Sequence, residues 1–283
     1  MIFRLIPISP PDDHLMTSIV MLAALDVEYR ALRGHLHCLR RRAHPAGTLF
    51  EVGLLPDVDG TVVLAATGEG NLAAAVVAER AIATFRPRAL LCVGVAGSIK
   101  HDVALGDVVV ATRVYAVGGG REHEGGFAVR PRAWSAAHEL EQVARLVASR
   151  GTWWPGRQAV PTVHFKPVAS GEVVYHVTGT EYAQRLRDSY DDAVAVEMES
   201  AGVAQAAQLN RALPVLTVRA ISDLADSHKA STDAAGWQLV SAERAAAFAT
   251  VVAAALFDLS GDRAPTGGAA VGAFSHGRRP LPI

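Results

Sequence analysis

Acidic side chains follow three separate apolar segments of the sequence, each of which has the length of a buried strand. Asp26 and Glu28 follow one segment, Glu197 and Glu199 follow a second, and Asp223 follows a third. Ligands of α/β proteins bind at the carboxyl edge of the sheet, so we expect these side chains to face one crevice. Carboxyl groups that meet there could serve as a general acid and a general base. Helix capping explains any one of these positions, but three strand ends in one sheet favour a functional site.

The elements that must position these groups are apolar strand-like segments that alternate with helix-like segments, as in a mostly parallel sheet covered on both faces. Strands are predicted at 18–25, 48–54, 61–66, 89–95, 107–112, 163–170, 193–197 and 214–221. Helices are predicted at 26–36, 71–85, 134–149, 199–209 and 237–259. Residues 115–132, which are rich in glycine and charge, are predicted to be loop at least in part. The sequence therefore predicts an α/β fold, a three-layer sandwich with a central twisted mixed sheet that includes a hairpin of 48–54 and 61–66.

The chain of 283 residues is predicted to hold one folded domain between two less structured ends. Half of its residues are hydrophobic and 19% are charged, so burial can offset the entropy lost on folding and wholesale disorder is excluded. Residues 261–283 turn to glycine, proline and arginine, with little to bury. We expect a flexible N-terminal segment at 1–17, a folded domain without internal repeat or linker at 18–260, and a disordered tail at 261–283.

Net charge and composition argue against several classes of partner. A formal charge of −1 provides no field that would recruit nucleic acid or an anionic membrane. No apolar run approaches the roughly 18 to 20 residues that cross a bilayer, and residues 1–17 lack the apolar stretch of a signal peptide. Cys38 and Cys92 lie far apart without a C-x-x-C partner, so neither a disulfide framework nor a cysteine-rich zinc site is expected. The sequence predicts a cytoplasmic protein without a metal.

Residues 67–73, TGEGNLA, follow a predicted strand, open a predicted helix and match the dinucleotide pattern G-x-G-x-x-A. A dinucleotide site also needs an acidic residue about 20 positions later, at the end of the next strand, to hold the ribose. The next strand, at 89–95, has none. We therefore expect the glycines to let the backbone approach a ligand or a helix closely, and we expect no nicotinamide cofactor.

The segments VGVAGSIKHDVALGDVVVAT, AVAVEMESAGVAQAA and VRAISDLAD resemble the signature stretches of the purine nucleoside phosphorylase superfamily. Within it they look closest to the 5′-methylthioadenosine/S-adenosylhomocysteine nucleosidases, with similarity that runs from about Ile19 to Leu256. This resemblance implies a nucleoside phosphorylase-like fold and hydrolysis of the N-glycosidic bond between adenine and ribose. It further implies a small nucleoside substrate, no cofactor and at least a homodimer.

The resemblance also implies a role for each of three carboxyl groups. Asp223, in the RAISD motif, matches the acid that protonates N7 of adenine as the C–N bond breaks. Glu28 matches the residue that orients and deprotonates the attacking water. Glu199 matches the carboxylate that binds the 2′- and 3′-hydroxyls of a sugar whose transition state is oxocarbenium-like. The implied substrate-binding residues are Val95, Ala96, Gly97, Val174, Tyr175, Glu197, Met198 and Ser222.

The chain departs from the nucleosidase pattern at three places. Val95 stands where those enzymes usually carry a serine, which removes a hydroxyl near the water. The aromatic residue that stacks on the base falls near Val174, with Tyr175 one position along. Glu69 stands where an apolar residue often lies near the 5′ side of the substrate. The 5′ substituent therefore stays open: methylthioadenosine and S-adenosylhomocysteine lead, and AMP, ATP or another adenosine metabolite is an alternative.

Phosphorolysis is the nearest alternative reaction. Phosphate would need an arginine, or an equivalent fork of donors, that faces C1′. Residues 94–99 contain no arginine, although Arg30 and Arg113 could reach the site from elsewhere. We therefore favour water as the nucleophile.

Two further alternatives concern the ligand rather than the nucleophile. A nucleotide could be held by Arg121 and Arg130 of the 115–132 segment, since arginine binds phosphate well. A non-catalytic nucleoside sensor would keep the pocket without turnover, and the valine at position 95 is the feature that favours it.

Overall fold

The computed structural model describes residues 18–124, 126–156, 159–173, 180–224 and 236–261. In this part of the chain the strands are β1 Ser18–Ala23, β2 His37–Ala43, β3 Leu49–Leu54, β4 Thr61–Ala66, β5 Ala89–Ser98, β6 Val108–Ala116, β7 Gly120–His123, β8 Gly126–Val129, β9 Arg132–Ser135, β10 Val163–Ser170, β11 Ala195–Glu197 and β12 Val215–Asp223. The helices are α1 Asp26–Arg33, α2 Asn71–Phe85, α3 His138–Arg150, α4 Glu181–Ser189, α5 Ser200–Leu209 and α6 Trp237–Gly261. The N-terminal segment and the C-terminal tail that the sequence predicts lie outside the described residues.

Ten of these strands form one mixed sheet in the order β11-β10-β6-β12-β5-β1-β4-β3-β2, with β9 paired to β6. β11 also pairs with β5, so the β11-β10-β6-β12-β5 half closes on itself. Five pairings are parallel and five are antiparallel. The sheet is therefore mixed as predicted, with a larger antiparallel share than the alternation of strands and helices suggests.

Helices pack on both faces of the sheet and give three layers. On one face α1, α3 and α6 bury side chains such as Leu32, Leu140 and Phe248 against the strands. On the other face α2 and α5 contribute Ala78 and Val203 to a second apolar cluster. Alternate residues of a strand point to opposite faces of the sheet. Because helices cover both faces, the central strands are apolar along their whole length. The predicted three-layer α/β architecture is confirmed.

Helix α6 differs from the expectation that no apolar run reaches the length of a membrane span. It is long and apolar enough to cross a bilayer by length and composition alone. Of its most apolar window, however, 67% is buried inside the protein. Its alanines lie against the sheet, and Phe248 meets Trp153 edge-on with ring centroids 5.1 Å apart. The apolar character of α6 is that of a core helix.

The sequence-based boundaries are wrong mainly at polar strands on the edges of the sheet. Residues 132–135 form β9, where Trp134 pairs with Val114, so the helix predicted from position 134 begins only at His138. Strand β2 was not predicted because its residues are mostly exposed and three of them are arginines. Within the predicted loop at 115–132, β7 and β8 pair as a short exposed hairpin. Exposed strands bury little, so their hydrophobic pattern is weak.

Candidate active site

The carboxyl ends of β1, β5, β11 and β12 surround a cavity of roughly 200 Å³. The cavity brings together Glu28, Glu199 and Asp223, which come from three distant parts of the chain. Each follows or ends one of these strands, as the sequence predicts. The described residues that line the cavity are Ala24, Leu25, Glu28, Glu69, Val95, Ala96, Gly97, Val173, Val196, Glu197, Met198, Glu199, Ser222, Asp223 and Gln238.

Every predicted site residue in the described part of the chain lines this cavity. Two others, Val174 and Tyr175, lie outside the described residues, and the preceding Val173 lines the wall. The sequence analysis did not assign Val173 or Gln238. A residue such as Gln238, on the first turn of the core helix α6, gives no sequence signal of its own.

Glu28 lies in the first turn of α1, and its side chain folds back over the end of β1. Its Oε2 accepts hydrogen bonds from the N–H groups of Ala24 and Leu25, both at 2.9 Å. Its Oε1 accepts a hydrogen bond from the N–H of Val95 at 2.7 Å. Burial raises the pKa of Glu28, although the nearby Arg219 charge and these three N–H groups oppose the increase. A carboxyl group with a raised pKa is a better proton acceptor near neutral pH than an ordinary glutamate.

Gly94, just before Val95 on β5, makes room for this arrangement. A Cβ atom at Gly94 would overlap both the carboxylate of Glu28 and the guanidinium of Arg219. The backbone of β5 must therefore pass directly against two charged groups, and glycine is the residue that permits such an approach.

Glu199 precedes helix α5 and lies between a backbone donor and a buried cation. Its Oε1 accepts a hydrogen bond from the N–H of Gly70 at 3.1 Å, and its Oε2 accepts one from Nη2 of Arg219 at 3.1 Å. Burial raises the pKa of Glu199 to about 7, aided by the negative charges of Glu197 and Glu28 and opposed by Arg219. The Arg219 charge therefore favours the ionised form of Glu199, against the effect of burial.

Arg219 is a buried charged residue beside the cavity that was not predicted from the sequence. Its side chain is 1% exposed, and its Nη2 donates hydrogen bonds to Glu197, to Glu199 and to Oγ of Ser200. A buried charge must be paired, so an arginine within the apolar strand VLTVRAISD signals that acidic partners lie nearby. The two glutamates of the EMES motif are these partners.

Glu197 lines the cavity and also holds the start of α5. Its Oε2 accepts hydrogen bonds from the N–H groups of Glu199 and Ser200, at 3.1 and 3.0 Å, and from Oγ of Ser200 at 2.8 Å. Free N–H groups at a helix start favour a carboxylate in this position. The network fixes the backbone that carries Glu199.

Asp223 is the last residue of β12 and lies opposite Gly97 of β5 in the strand register. The carboxyl group is nearly enclosed, with 4% of the residue exposed. Oγ of Ser222 donates a hydrogen bond to its Oδ2 at 3.2 Å. Asp223 thus reaches the cavity from the β12 side, whereas Glu28 reaches it from the β1 side.

The lining of the cavity is acidic. Among the described residues it includes four glutamates and one aspartate, and it includes no lysine, arginine or histidine. Arg30 and Arg113 line separate depressions on the surface instead. Within the described ranges, no group of three or more His, Cys, Asp or Glu side chains could hold a metal ion.

A sequence model of the phosphorylase superfamily matches residues 18–256. One relative, the 5'-methylthioadenosine/S-adenosylhomocysteine nucleosidase of Chromohalobacter salexigens, is 26% identical over 222 residues, which are 74% of this chain and 86% of that protein. The nucleosidase of the same name from Glaesserella parasuis is 28% identical over 191 residues, which are 64% of this chain and 75% of that protein.

Solved structures share the fold. The 5'-methylthioadenosine/S-adenosylhomocysteine nucleosidase of Neisseria meningitidis, in complex with methylthio-immucillin-A, has a TM-score of 0.72 at 21% identity, over 84% of this chain and 98% of that one. The futalosine hydrolase of Helicobacter pylori has a TM-score of 0.71 at 23% identity, over 85% of this chain and 98% of that one. These similarities confirm the α/β fold with its central mixed sheet.

Proposed function

This chain belongs to the phosphorylase superfamily, and from that membership we propose that it is a nucleosidase that hydrolyses the N-glycosidic bond of adenine nucleosides. The observation that carries the proposal is the meeting of Glu28, Glu199 and Asp223 in one cavity. Nucleosidases are also among the relatives in sequence. The roles proposed for the three carboxyl groups are those that the family resemblance implies, and the contacts of each group support them.

Asp223 is the proposed general acid. Anionic adenine leaves poorly, so a proton must reach N7 as the bond between C1′ and N9 breaks. The position of Asp223 favours this role, because its carboxyl group lines the cavity where a bound base would lie and is shielded from bulk water. The Ser222 hydroxyl restrains the orientation of the carboxyl group through its 3.2 Å contact.

Glu28 is the proposed general base. Three N–H groups fix its carboxylate, and the backbone of β5 passes against it at Val95. A water molecule beside Oε1 would lose one proton to Glu28 while its oxygen bonds to C1′. The bond between C1′ and N9 breaks as this bond forms, adenine leaves with the proton from Asp223, the sugar gains the hydroxyl group, and proton exchange with solvent restores both carboxyl groups.

Glu199 is the proposed ligand of the 2′- and 3′-hydroxyls. A negative charge near the sugar stabilises the positive charge that develops on an oxocarbenium-like transition state. Arg219, which does not line the cavity, forms ion pairs with this carboxylate and with that of Glu197. The cation thus allows two carboxylates to lie together in a buried site without strong mutual repulsion.

Water is the proposed nucleophile, and the charge of the cavity supports this choice over phosphate. A phosphate site needs a cationic side chain or several N–H donors that face the phosphate. The described lining of the cavity contains no cationic side chain. Arg219 donates to carboxylates that already surround it. The same argument disfavours AMP and ATP, since Glu69 would repel a 5′-phosphate. A neutral 5′ group, as in methylthioadenosine, is the substrate type that we propose.

Product analysis tests the proposal against its alternatives. The purified protein is incubated with 5′-methylthioadenosine, S-adenosylhomocysteine, adenosine, AMP and ATP, each with and without phosphate. We expect free adenine and a free sugar, at a rate that phosphate does not change. A sugar 1-phosphate would indicate phosphorolysis. Preferred release of adenine from AMP or ATP would indicate a nucleosidase that acts on adenine nucleotides. A ligand that binds without conversion would indicate a nucleoside sensor.

A homodimer is also part of the proposal. Leu72 and Val76 on α2 are 82% and 50% exposed, and Leu209 on the adjoining α5 is 76% exposed. Large apolar side chains that share one exposed face often mark an interface between proteins. Sedimentation of the wild-type protein should give a dimer, and Leu72→Glu should shift it toward the monomer.

A further inference from the structure

We propose that Asn71, which begins α2, is a positioning residue that holds the N–H of Gly70 against the carboxylate of Glu199. The proposal rests on the proposed function, because it assigns the ribose hydroxyls to Glu199. Asn71 is not one of the fifteen described residues that line the cavity. Its effect on catalysis must therefore pass through its neighbours.

The side chain of Asn71 joins three segments that meet behind the sugar side of the cavity. Its Oδ1 accepts hydrogen bonds from Oγ of Ser170 at 2.9 Å and from the N–H of Gly202 at 2.8 Å. Its Nδ2 donates a hydrogen bond to the carbonyl of Gly171 at 3.0 Å. One amide thereby connects the start of α2 with the end of β10 and with the first turn of α5.

The contact between α2 and α5 is unusually close at this point. A Cβ atom at Gly202 would overlap the backbone carbonyl of Asn71. Oγ of Ser170, which donates to Asn71, also accepts a hydrogen bond from the N–H of Ala201 at 3.1 Å. The first turn of α5, which follows Glu199 directly, is therefore connected to Asn71 in two ways. Gly202 donates to the Asn71 side chain directly, and Ala201 is linked to it through Oγ of Ser170.

Gly70 makes the connection to the catalytic carboxylate. Its φ of +97° lies in the left-handed region, and Gly68 two residues earlier has a φ of +71°. Glycine at these positions adopts the turn without strain but leaves the loop flexible unless other contacts restrain it. Two side chains restrain the loop next to Gly70: that of Asn71, and that of Glu172, whose Oε1 accepts a hydrogen bond from the N–H of Asn71 at 3.2 Å. The N–H of Gly70 itself donates to Oε1 of Glu199 at 3.1 Å. Losing the Asn71 side chain should therefore loosen this hydrogen bond.

The decisive experiment compares Asn71→Ala on a ribonucleoside and on its 2′-deoxy counterpart. Asn210→Ala is the matched control, because Nδ2 of Asn210 also bridges the two helices, from α5 to Glu79 of α2, at the end away from the cavity. For 5′-methylthioadenosine we expect Asn71→Ala to lower kcat/KM about tenfold, the range expected for a misplaced charged hydrogen bond. For the 2′-deoxy compound, which lacks one of the two hydroxyls that Glu199 would bind, we expect a loss below about threefold. Equal losses on both substrates, or an equal effect of Asn210→Ala, would overturn the proposal.

Two further measurements keep the test informative if Asn71→Ala is unstable or if the wild-type protein proves inactive. Asn71→Asp keeps the Oδ1 acceptor for Ser170 and Gly202 but replaces the donor to the Gly171 carbonyl by a carboxylate oxygen, so it should recover part of the ribonucleoside rate. Hydrogen–deuterium exchange does not depend on turnover: Asn71→Ala should speed exchange at Gly70 and Gly202, and Asn210→Ala should not. Unchanged exchange at Gly70 would contradict the Asn71 inference whatever the activity, whereas an inactive wild type with faster Gly70 exchange in the variant would count against the proposed function alone.

Discussion

The N–H of Val95 donates a 2.7 Å hydrogen bond to Oε1 of Glu28, across 67 positions of sequence. This contact joins the first helix to β5 at the centre of the sheet. It leaves Glu28 buried, held by three N–H groups and directed toward the cavity. A carboxylate held in this way loses little conformational freedom when it takes a proton, which is what a general base requires.

Glu28→Gln tests that role. The amide is nearly isosteric but cannot accept a proton, so we expect kcat to fall by about 10² to 10⁴ while KM changes little. Steady-state kinetics of adenine release with 5′-methylthioadenosine measure both constants. Because burial raises the pKa of Glu28, the acidic limb of the wild-type kcat/KM profile should lie above the pH typical of a glutamate. A variant within tenfold of wild-type kcat would argue against Glu28 as the base.

Glu199 makes the stability of the fold depend on pH. Its pKa is about 7 in the folded protein, above the value of an exposed glutamate, so the folded state binds more protons than the unfolded state between these pH values. The free energy of unfolding should therefore fall as pH rises from about 4.5 to 7, by up to about 3 kcal/mol from this group. Glu199→Gln should flatten that slope. Urea unfolding at several pH values measures it, and an unchanged slope would contradict the assignment.

Arg219 should be essential for stability as well as for the site. Arg219→Met leaves Glu197 and Glu199 buried without their cation, which costs about 3–5 kcal/mol when one partner of a buried pair is removed. Arg113→Met is the control, because Arg113 is an exposed arginine whose contact is with the Tyr115 hydroxyl. Chemical denaturation of both variants gives the comparison. Similar stabilities for the two variants would show that the buried network contributes little.

Gly94→Ala tests the close approach of β5 to the charged groups. The added methyl group must displace the Glu28 carboxylate or the Arg219 guanidinium, and such overpacking costs about 1–3 kcal/mol. We expect a loss of stability together with at least a tenfold loss of kcat/KM, by analogy with other misplaced catalytic groups. Gly119→Ala is the matched control, since its nearest neighbour would be a carbonyl oxygen at 3.4 Å. Wild-type kinetics in Gly94→Ala would mean that Glu28 tolerates displacement.

Much of the acidic lining of the cavity could be predicted from the sequence because its residues lie where apolar strands end. Glu28, Glu199 and Asp223 each follow or end such a strand, and the topology of an α/β sheet brings strand ends together. Hydrophobic strands such as β1 and β4 could be predicted directly, since β1 is buried throughout and β4 is buried apart from its ends. The hydrophobic pattern alone is therefore enough to predict where these strands lie in the sequence.

The remaining features depend on contacts that a linear pattern does not reveal. Arg219 was overlooked because one charge within a strand says nothing about which carboxylates will neutralise it. Strands β2 and β9 were missed or taken for helix because their stability comes from pairing with a neighbour rather than from an apolar face. Asn71 was predicted only as the first residue of a helix after a glycine-rich turn, although its amide links three segments. Such polar connections are defined only once the helices are packed.

Asp223→Asn offers the most direct test of the central claim, that these carboxyl groups converge on one nucleoside and that its base departs protonated. The asparagine keeps the shape of the side chain but has no proton to give to N7. We predict that adenine release from 5′-methylthioadenosine falls at least about 100-fold, while the melting temperature and the affinity for the nucleoside stay close to those of the wild type. Wild-type turnover of every adenosine derivative by a folded Asp223→Asn protein would contradict the account.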